Sequence, residues 1–215
     1  YIASKNGHIE VVKYLIEHCH ANVEAKTNNG GWTPLHVFSE NGQIEVVKYL
    51  FEQCHANVEA KTNNGGWTPL HLASQNGHIE VVKYLIEQCH ANVEAKDNEG
   101  RTPLHSASWN DRIEVIKYLI EQCHANVEEK DNEGNTPLDY ALENDHMEVV
   151  KYLIEECHAN VEEKDNEGRT PSHISSENGH IEVVKYLIEQ CHANVEEKDN
   201  DGNTPLEYAL ENDHM

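Results

Sequence analysis

Basic residues are scarce in this 215-residue chain: 16 Lys and Arg stand against 39 Asp and Glu, a net charge of −23. A surface so charged repels phosphate backbones and anionic membranes and attracts a basic partner, which removes nucleic acid from the expected partners. Long hydrophobic runs are also missing. No apolar stretch approaches the roughly 18 residues of a membrane span, and the 215 residues show no charged-then-apolar leader. A soluble, intracellular protein of the cytoplasm, with no membrane partner, is expected. Catalytic signatures are equally absent: there is no Gly-x-Ser-x-Gly, no phosphate loop and no dinucleotide fingerprint. These absences predict a non-enzyme without a cofactor.

Repetition is what the chain does have. Thr-Pro recurs at Thr33, Thr68, Thr102, Thr136, Thr170 and Thr204, at steps of 35, 34, 34, 34 and 34 residues. A fixed period of about 20 to 50 residues marks a solenoid, each unit being too small to bury its apolar face alone. One repeat domain over 1–215 is expected, with full units at 27–61, 62–96, 97–130, 131–164 and 165–198 and partial ones at 1–26 and 199–215. Cys19, Cys54, Cys89, Cys123, Cys157 and Cys191 fall one per unit at one register, so their even number reflects duplication. Helices packed about 8–10 Å apart do not bring Cα atoms within the roughly 4.4–6.8 Å that a disulfide needs, and reduced thiols are predicted.

The unit 97–130 shows the local logic. Asp97-Asn98-Glu99-Gly100-Arg101 is turn chemistry. Thr102 suits an N-cap, and Pro103 suits the first helical position because the N–H it lacks would be unpaired there. This first helix is short: Asn110-Asp111 follows after two turns, and sister units place Asn41-Gly42, Asn76-Gly77 and Asn178-Gly179 there as a left-handed stop. A second helix from near Ile113 carries Ile113, Val115, Ile116, Leu119 and Ile120 as one apolar stripe, with Glu114, Lys117 and Glu121 on a solvated face. Two antiparallel helices with a projecting hairpin result.

These residues resemble the ankyrin repeat along the whole chain. Thr33-Pro34-Leu35-His36, Thr68-Pro69-Leu70-His71 and Thr102-Pro103-Leu104-His105 match its signature, and Asn76-Gly77-His78 and Asn178-Gly179-His180 match the segment that follows. The unit departs from the family's usual length of about 33 residues by one residue in the Cys-His-Ala-Asn segment, which predicts a slightly longer loop after helix two. Doubled glycines, Gly30-Gly31 and Gly65-Gly66, account for the first, longer step. The resemblance implies an all-α, ankyrin-type helical solenoid of paired antiparallel helices with projecting β-hairpin or turn loops. It places helix one and the hairpins on a concave side and helix two on a convex side. It implies no chemistry, but a protein or peptide partner held by the hairpin tips and helix one. It also makes His36, His71, His105 and His173 hydrogen-bonding fixtures between units. Tyr1–Ile9 align with His36–Ile44 and Met215 aligns with Ile181. Neither end looks like a polar cap, so a fragment of a longer array is expected, its apolar ends able to stack head to tail.

Three constellations suggest chemistry and are set aside. Sixteen histidines, six of them in Cys-His pairs, raise zinc. Adjacent residues seldom converge on one tetrahedral ion, and pairs in neighbouring units stand about 8–10 Å apart, so no metal site is predicted. Asp139 and Glu207 replace the signature histidine but lie two units apart, whereas paired catalytic carboxylates stand about 5–10 Å from each other. Their spacing from Thr136 and Thr204 predicts capping boxes. Asp199-Asn200-Asp201-Gly202 looks faintly like a calcium loop, but its glycine is fourth instead of sixth and no acid is twelfth.

Helix two hardly varies between units, so the differences at hairpin tips and on helix one carry the clue to a partner. The position before Thr-Pro holds Trp32, Trp67, Arg101, Asn135, Arg169 and Asn203, and Trp109 replaces Glu40, Gln75, Glu143 and Glu177 at the end of helix one. Tryptophan and arginine lead among binding hot spots, which makes Trp32, Trp67, Arg101, Trp109, Arg112 and Arg169 the candidate contacts. Trp32 and Trp67 have a second reading, as packing on the neighbouring hairpin. Residues 1–96 hold 10 acids and 7 bases, residues 97–215 hold 29 and 9, and the unit 131–164 alone holds 10 and 2. That excess steers basic ligands or simply keeps the surface solvated. A binding scaffold for a protein or peptide is the leading expectation; a structural or elastic array without a dedicated partner is the alternative. Ser172 stands where Leu70, Leu104 and Leu138 stand, so the unit 165–198 is expected to open first, and Phe38, where others have alanine, must find room or turn outward.

Overall fold

Each first helix is started by a threonine in extended backbone. Thr68 has φ −88° and ψ 165°, its hydroxyl accepts the His71 amide, and Pro69 fills the first helical position. In the computed structural model of the chain, which describes residues 9–211, this start recurs through the sequence. The first helices are α2 (Pro34–Glu40), α4 (Pro69–Gln75), α6 (Pro103–Trp109), α8 (Pro137–Glu143), α10 (Pro171–Glu177) and α12 (Pro205–Glu211). The second helices are α1 (Ile9–Glu17), α3 (Ile44–Glu52), α5 (Ile79–Glu87), α7 (Ile113–Glu121), α9 (Met147–Lys151) and α11 (Ile181–Glu189). A wide π turn, Tyr152–Glu156, prolongs α9. The fold is all-α, of the ankyrin type, and there is no strand among the described residues. The projecting loops are closed by turns such as Thr62 N–H to Trp67 O at 3.0 Å and joined tip to tip by Asn63 N–H to Gly30 O at 2.8 Å. The alignments of the two chain ends rest on residues 1–8 and 212–215, which lie outside the described residues.

The chain forms two units, one of residues up to 107 with 114–125, the other of 108–113 with residues from 126 onward. Within each, the apolar stripe of helix two faces inward. Val46, Val47 and Leu50 of α3, and Val149 and Val150 of α9 with Leu153 of the π turn that prolongs it, are almost fully enclosed. Leu35 and Leu70, and Leu138 in the second unit, bury the start of helix one in the same way. Phe38 is fully buried, its ring turned inward into an apolar space shared with Val12 and Ile16.

The expected left-handed stops are present. Gly42 takes φ 69°, and a Cβ there would come within 2.6 Å of the His78 ring, so this turn requires glycine for two reasons. Asp111 and Asp145 hold the same place at φ 58° and 56°. The extra residue after helix two is taken up as a wide final turn, with Cys89 N–H reaching Tyr84 O at 3.2 Å and Cys191 N–H reaching Tyr186 O at 3.2 Å. The histidine that follows is left-handed, φ 56° at His90 and 58° at His192, and Ala91 N–H closes the turn on Leu85 O at 2.9 Å.

Candidate functional site

Neighbouring helix pairs are tied by three sets of bonds. The signature histidines form the first. His36 Nε2 lies 3.0 Å from Trp67 O, His71 Nε2 3.0 Å from Arg101 O and His173 Nε2 3.1 Å from Asn203 O. A carbonyl only accepts, so Nε2 carries the proton and Nδ1 accepts from the amides of Thr33, Thr68 and Thr170. Burial, outweighing these backbone bonds, lowers the His36 pKa and brings that of His71 to about 4. For these three residues the fixture between units is present. A tyrosine ladder forms the second set: Tyr49 donates to Glu17 at 3.0 Å, Tyr84 to Glu52 at 2.8 Å and Tyr186 to Glu155 at 2.9 Å. The third joins the loops, where Lys61 Nζ donates to Lys96 O and Glu59 accepts the Asn92 amide at 2.8 Å.

The cysteines are free. Burial, with Glu52 adding to it, pushes the Cys89 thiol up to about 12 and acts in the same direction on Cys54, Cys123 and Cys191, which disfavours the nucleophilic thiolate. Among the described residues, no three of His, Cys, Asp and Glu are grouped to hold a metal ion. Asp199, of the calcium-like segment, spends its carboxylate within the turn, accepting the Asn203 amide at 2.8 Å and the Tyr208 hydroxyl at 2.8 Å. The box expected at Thr136 and Asp139 is formed at the start of α8, and at the second acidic signature one half of it is present, Glu207 accepting from the amide of Thr204 and also from its hydroxyl.

The six candidate contact residues separate by environment. Trp32 and Trp67 are half-buried and meet edge to face with centroids 6.5 Å apart, and the Trp67 indole donates to Asp97 at 3.2 Å. Arg101 bonds Asp97 through Nε at 2.8 Å and Glu99 through Nη1 at 2.6 Å. Arg169 bonds Asp165 at 2.7 Å and Glu177 at 3.1 Å. Both guanidinium groups thus close their own loops. Arg112 is exposed beyond the end of α6. Trp109 differs from the other two tryptophans: it is 43 % exposed, its ring lies 5.2 Å from Tyr140, and its carbonyl accepts from His146 Nε2 at 2.9 Å, which fixes the helix end beneath it.

Tyr140 beside Trp109, and Asp131 and Glu143 around Tyr140, had no place among the candidates. Tyr140 donates its hydroxyl to Asp131 at 2.7 Å, and Glu143 lies one helical turn beyond Tyr140 on the same face of α8. Burial raises the Glu143 pKa; Arg169 opposes this, and Glu177, Asp131 and Glu133 reinforce it. Alignment of the repeats holds the signal for this group, since Tyr140 stands where Val37, Leu72 and Ile174 stand.

The family model for ankyrin repeats (3 copies) matches residues 1–97, 54–131, 88–165 and 156–215. No curated protein matches the chain. No helix among the described residues is long and apolar enough to cross a membrane.

Proposed function

Because the chain belongs to the ankyrin-repeat family, whose members generally bind proteins and are typically non-catalytic, we propose that it is a scaffold holding a protein or peptide segment along its helix-one and hairpin face, with Trp109 at the contact. One observation carries this reading: a large aromatic side chain, 43 % exposed, sits on the variable face while helix two repeats almost unchanged behind it. Trp32, Trp67 and Arg101 in the first unit, and Arg112 and Arg169 in the second, stand at or near the corresponding loops and helix ends of their own repeats and would supply secondary contacts. The acidic balance favours a basic partner and disfavours nucleic acid. Free thiols fit a reducing, cytoplasmic setting. Selection of a random peptide library on the chain and on Trp109→Ala tests the reading. Peptides lost with the variant support it; identical recovery on both overturns it.

A structural array is the second reading, favoured by the tyrosine and lysine ladders that tie repeat to repeat irrespective of any ligand. In it, copies would add end to end through apolar residues exposed at the two ends of the described chain, Val11 and Leu15 at one and Leu206 and Leu210 at the other. Light scattering over a concentration series distinguishes it: a mass that rises with concentration and falls back in Leu206→Glu supports stacking, and a constant monomer mass overturns it.

A further inference from the structure

Repeat 165–198 contains its own guanidinium, whereas repeat 131–164 has the same carboxylates without one. In the former, Arg169 stands just before Thr-Pro, pairs Nε with Asp165 at 2.7 Å and reaches Glu177, at the end of helix one, with Nη1 at 3.1 Å. In the latter, Asp131 and Glu143 hold the corresponding positions, but Asn135 replaces the arginine and turns its amide to Asp131 at 3.4 Å. Among the described residues no hydrogen bond or ion pair reaches the Glu143 carboxylate. That carboxylate is half-buried, and its pKa is raised by burial, with the field of Arg169 in the next repeat opposing and the acids around it reinforcing.

We propose that this place receives an arginine side chain from a basic partner protein, its guanidinium plane stacked on Trp109 and its N–H groups paired with Glu143. The assignment rests on the binding-face reading and specifies the chemistry of the contact. Trp109 and Glu143 both flank Tyr140, the first through ring contact at 5.2 Å and the second one turn along α8. A planar cation entering here meets an aromatic face on one side and an unpaired carboxylate on the other. Arginine suits both surfaces: its guanidinium stacks on aromatic rings and pairs with carboxylates through a fixed fork. Lysine, a compact and strongly hydrated charge, pairs with the carboxylate but lacks the plane that stacks on the ring. The unit 131–164, with 10 acids and 2 bases, supplies the complementary field.

Nuclear magnetic resonance of the full chain tests this through the Trp109 indole N–H, assigned with Trp109→Phe, during titration with N-acetyl-arginine methylamide or its uncharged citrulline analogue. The arginine probe should shift the Trp109 signal saturably and the citrulline probe should not. Glu143→Gln should weaken binding about tenfold, the loss of one charge-assisted pair. Asn135→Arg, which supplies the guanidinium from within the chain as in the next repeat, should abolish it while leaving the fold intact by circular dichroism. Equal response to the two probes, or unchanged affinity in Glu143→Gln, overturns the assignment. Peptides selected through Trp109 but lacking arginine would overturn this assignment alone and leave the binding face standing. An arginine response that depends on Glu143, without any selected peptide, would uphold the subsite and remove the broader reading.

Discussion

Asp139 grips Thr136 with a single carboxylate oxygen: Oδ2 accepts the Thr136 amide at 2.7 Å and the Thr136 hydroxyl at 2.9 Å. In sister repeats a histidine stands here, and its far nitrogen crosses to the next repeat, as His173 Nε2 does to Asn203 O at 3.1 Å. Asp139 is too short to cross, and among the described residues its only bonds are those to Thr136. The side chain is buried all the same.

That burial, with Asp165 and Glu143 adding to it and the Thr136 bonds opposing, raises the Asp139 pKa from 3.8 to about 7. The folded form therefore holds a proton that the unfolded chain releases. The contribution to stability is complete below about pH 4 and disappears as pH rises through 7, a swing on the order of a few kcal/mol. Denaturant unfolding monitored in the second unit should show stability falling between about pH 4 and 7, and Asp139→Asn should flatten that fall. An unchanged slope in the variant would dissociate the effect from this carboxyl.

His71 slopes the other way. Its folded pKa of about 4 lies below the ordinary 6.5, so its contribution is present above about pH 6.5 and is lost as pH falls through 4, when Nδ1 must give up the Thr68 bonds to take a proton. Titration of the His71 Cε1–H resonance should give a midpoint near 4. A midpoint near 6.5 would contradict the neutral tautomer inferred from Arg101 O.

Ser172 is 3 % exposed and its hydroxyl has no partner among the described residues, at a position where Leu138 is buried to the same degree. Ser172→Leu should restore apolar contact and remove an unsatisfied oxygen, a gain of about 2 kcal/mol. Amide exchange across 165–198 should slow in the variant and, in the parent chain, should be faster there than across 131–164. Faster exchange in the variant would mean that the site has closed around the serine and is overpacked by leucine.

Thiol labelling should be ordered. Cys19 is exposed, and Cys89 is buried with its thiol pushed up to about 12. Under native conditions at neutral pH, a disulfide reagent should modify Cys19 first and Cys89 last, read by peptide mass after quenching. Modification of Cys89 at the rate of Cys19 would show that the α5 loop opens on the labelling timescale.

Much of the fold was legible because it is set locally. Thr68-Pro69 starts a helix through one hydroxyl and one missing donor, and Asn-Gly stops it through one positive φ; both act within a few residues of chain and can be read there. The left-handed histidine after helix two was not legible, since nothing in Cys-His-Ala-Asn resembles a glycine stop. It follows from the wide last turn that bonds Cys89 to Tyr84. Of the candidate site, Trp109 was visible as a break in the repeat. Arg101 and Arg169 were visible as residue types, but their engagement with Asp97 and Asp165 depends on the path of the loop.

The amino-acid sequence by itself determined the period, the helix boundaries and the family, because these follow from spacing and from bonds between near neighbours. Only the tertiary structure decided which polar groups are already paired. Arg169 is bound to Glu177 within one repeat, while among the described residues the same carboxylate one repeat earlier, Glu143, has no hydrogen bond or ion pair and feels Arg169 only through its field. The two repeats differ by a few side chains of unequal reach, and reach is settled by where packing places the backbone.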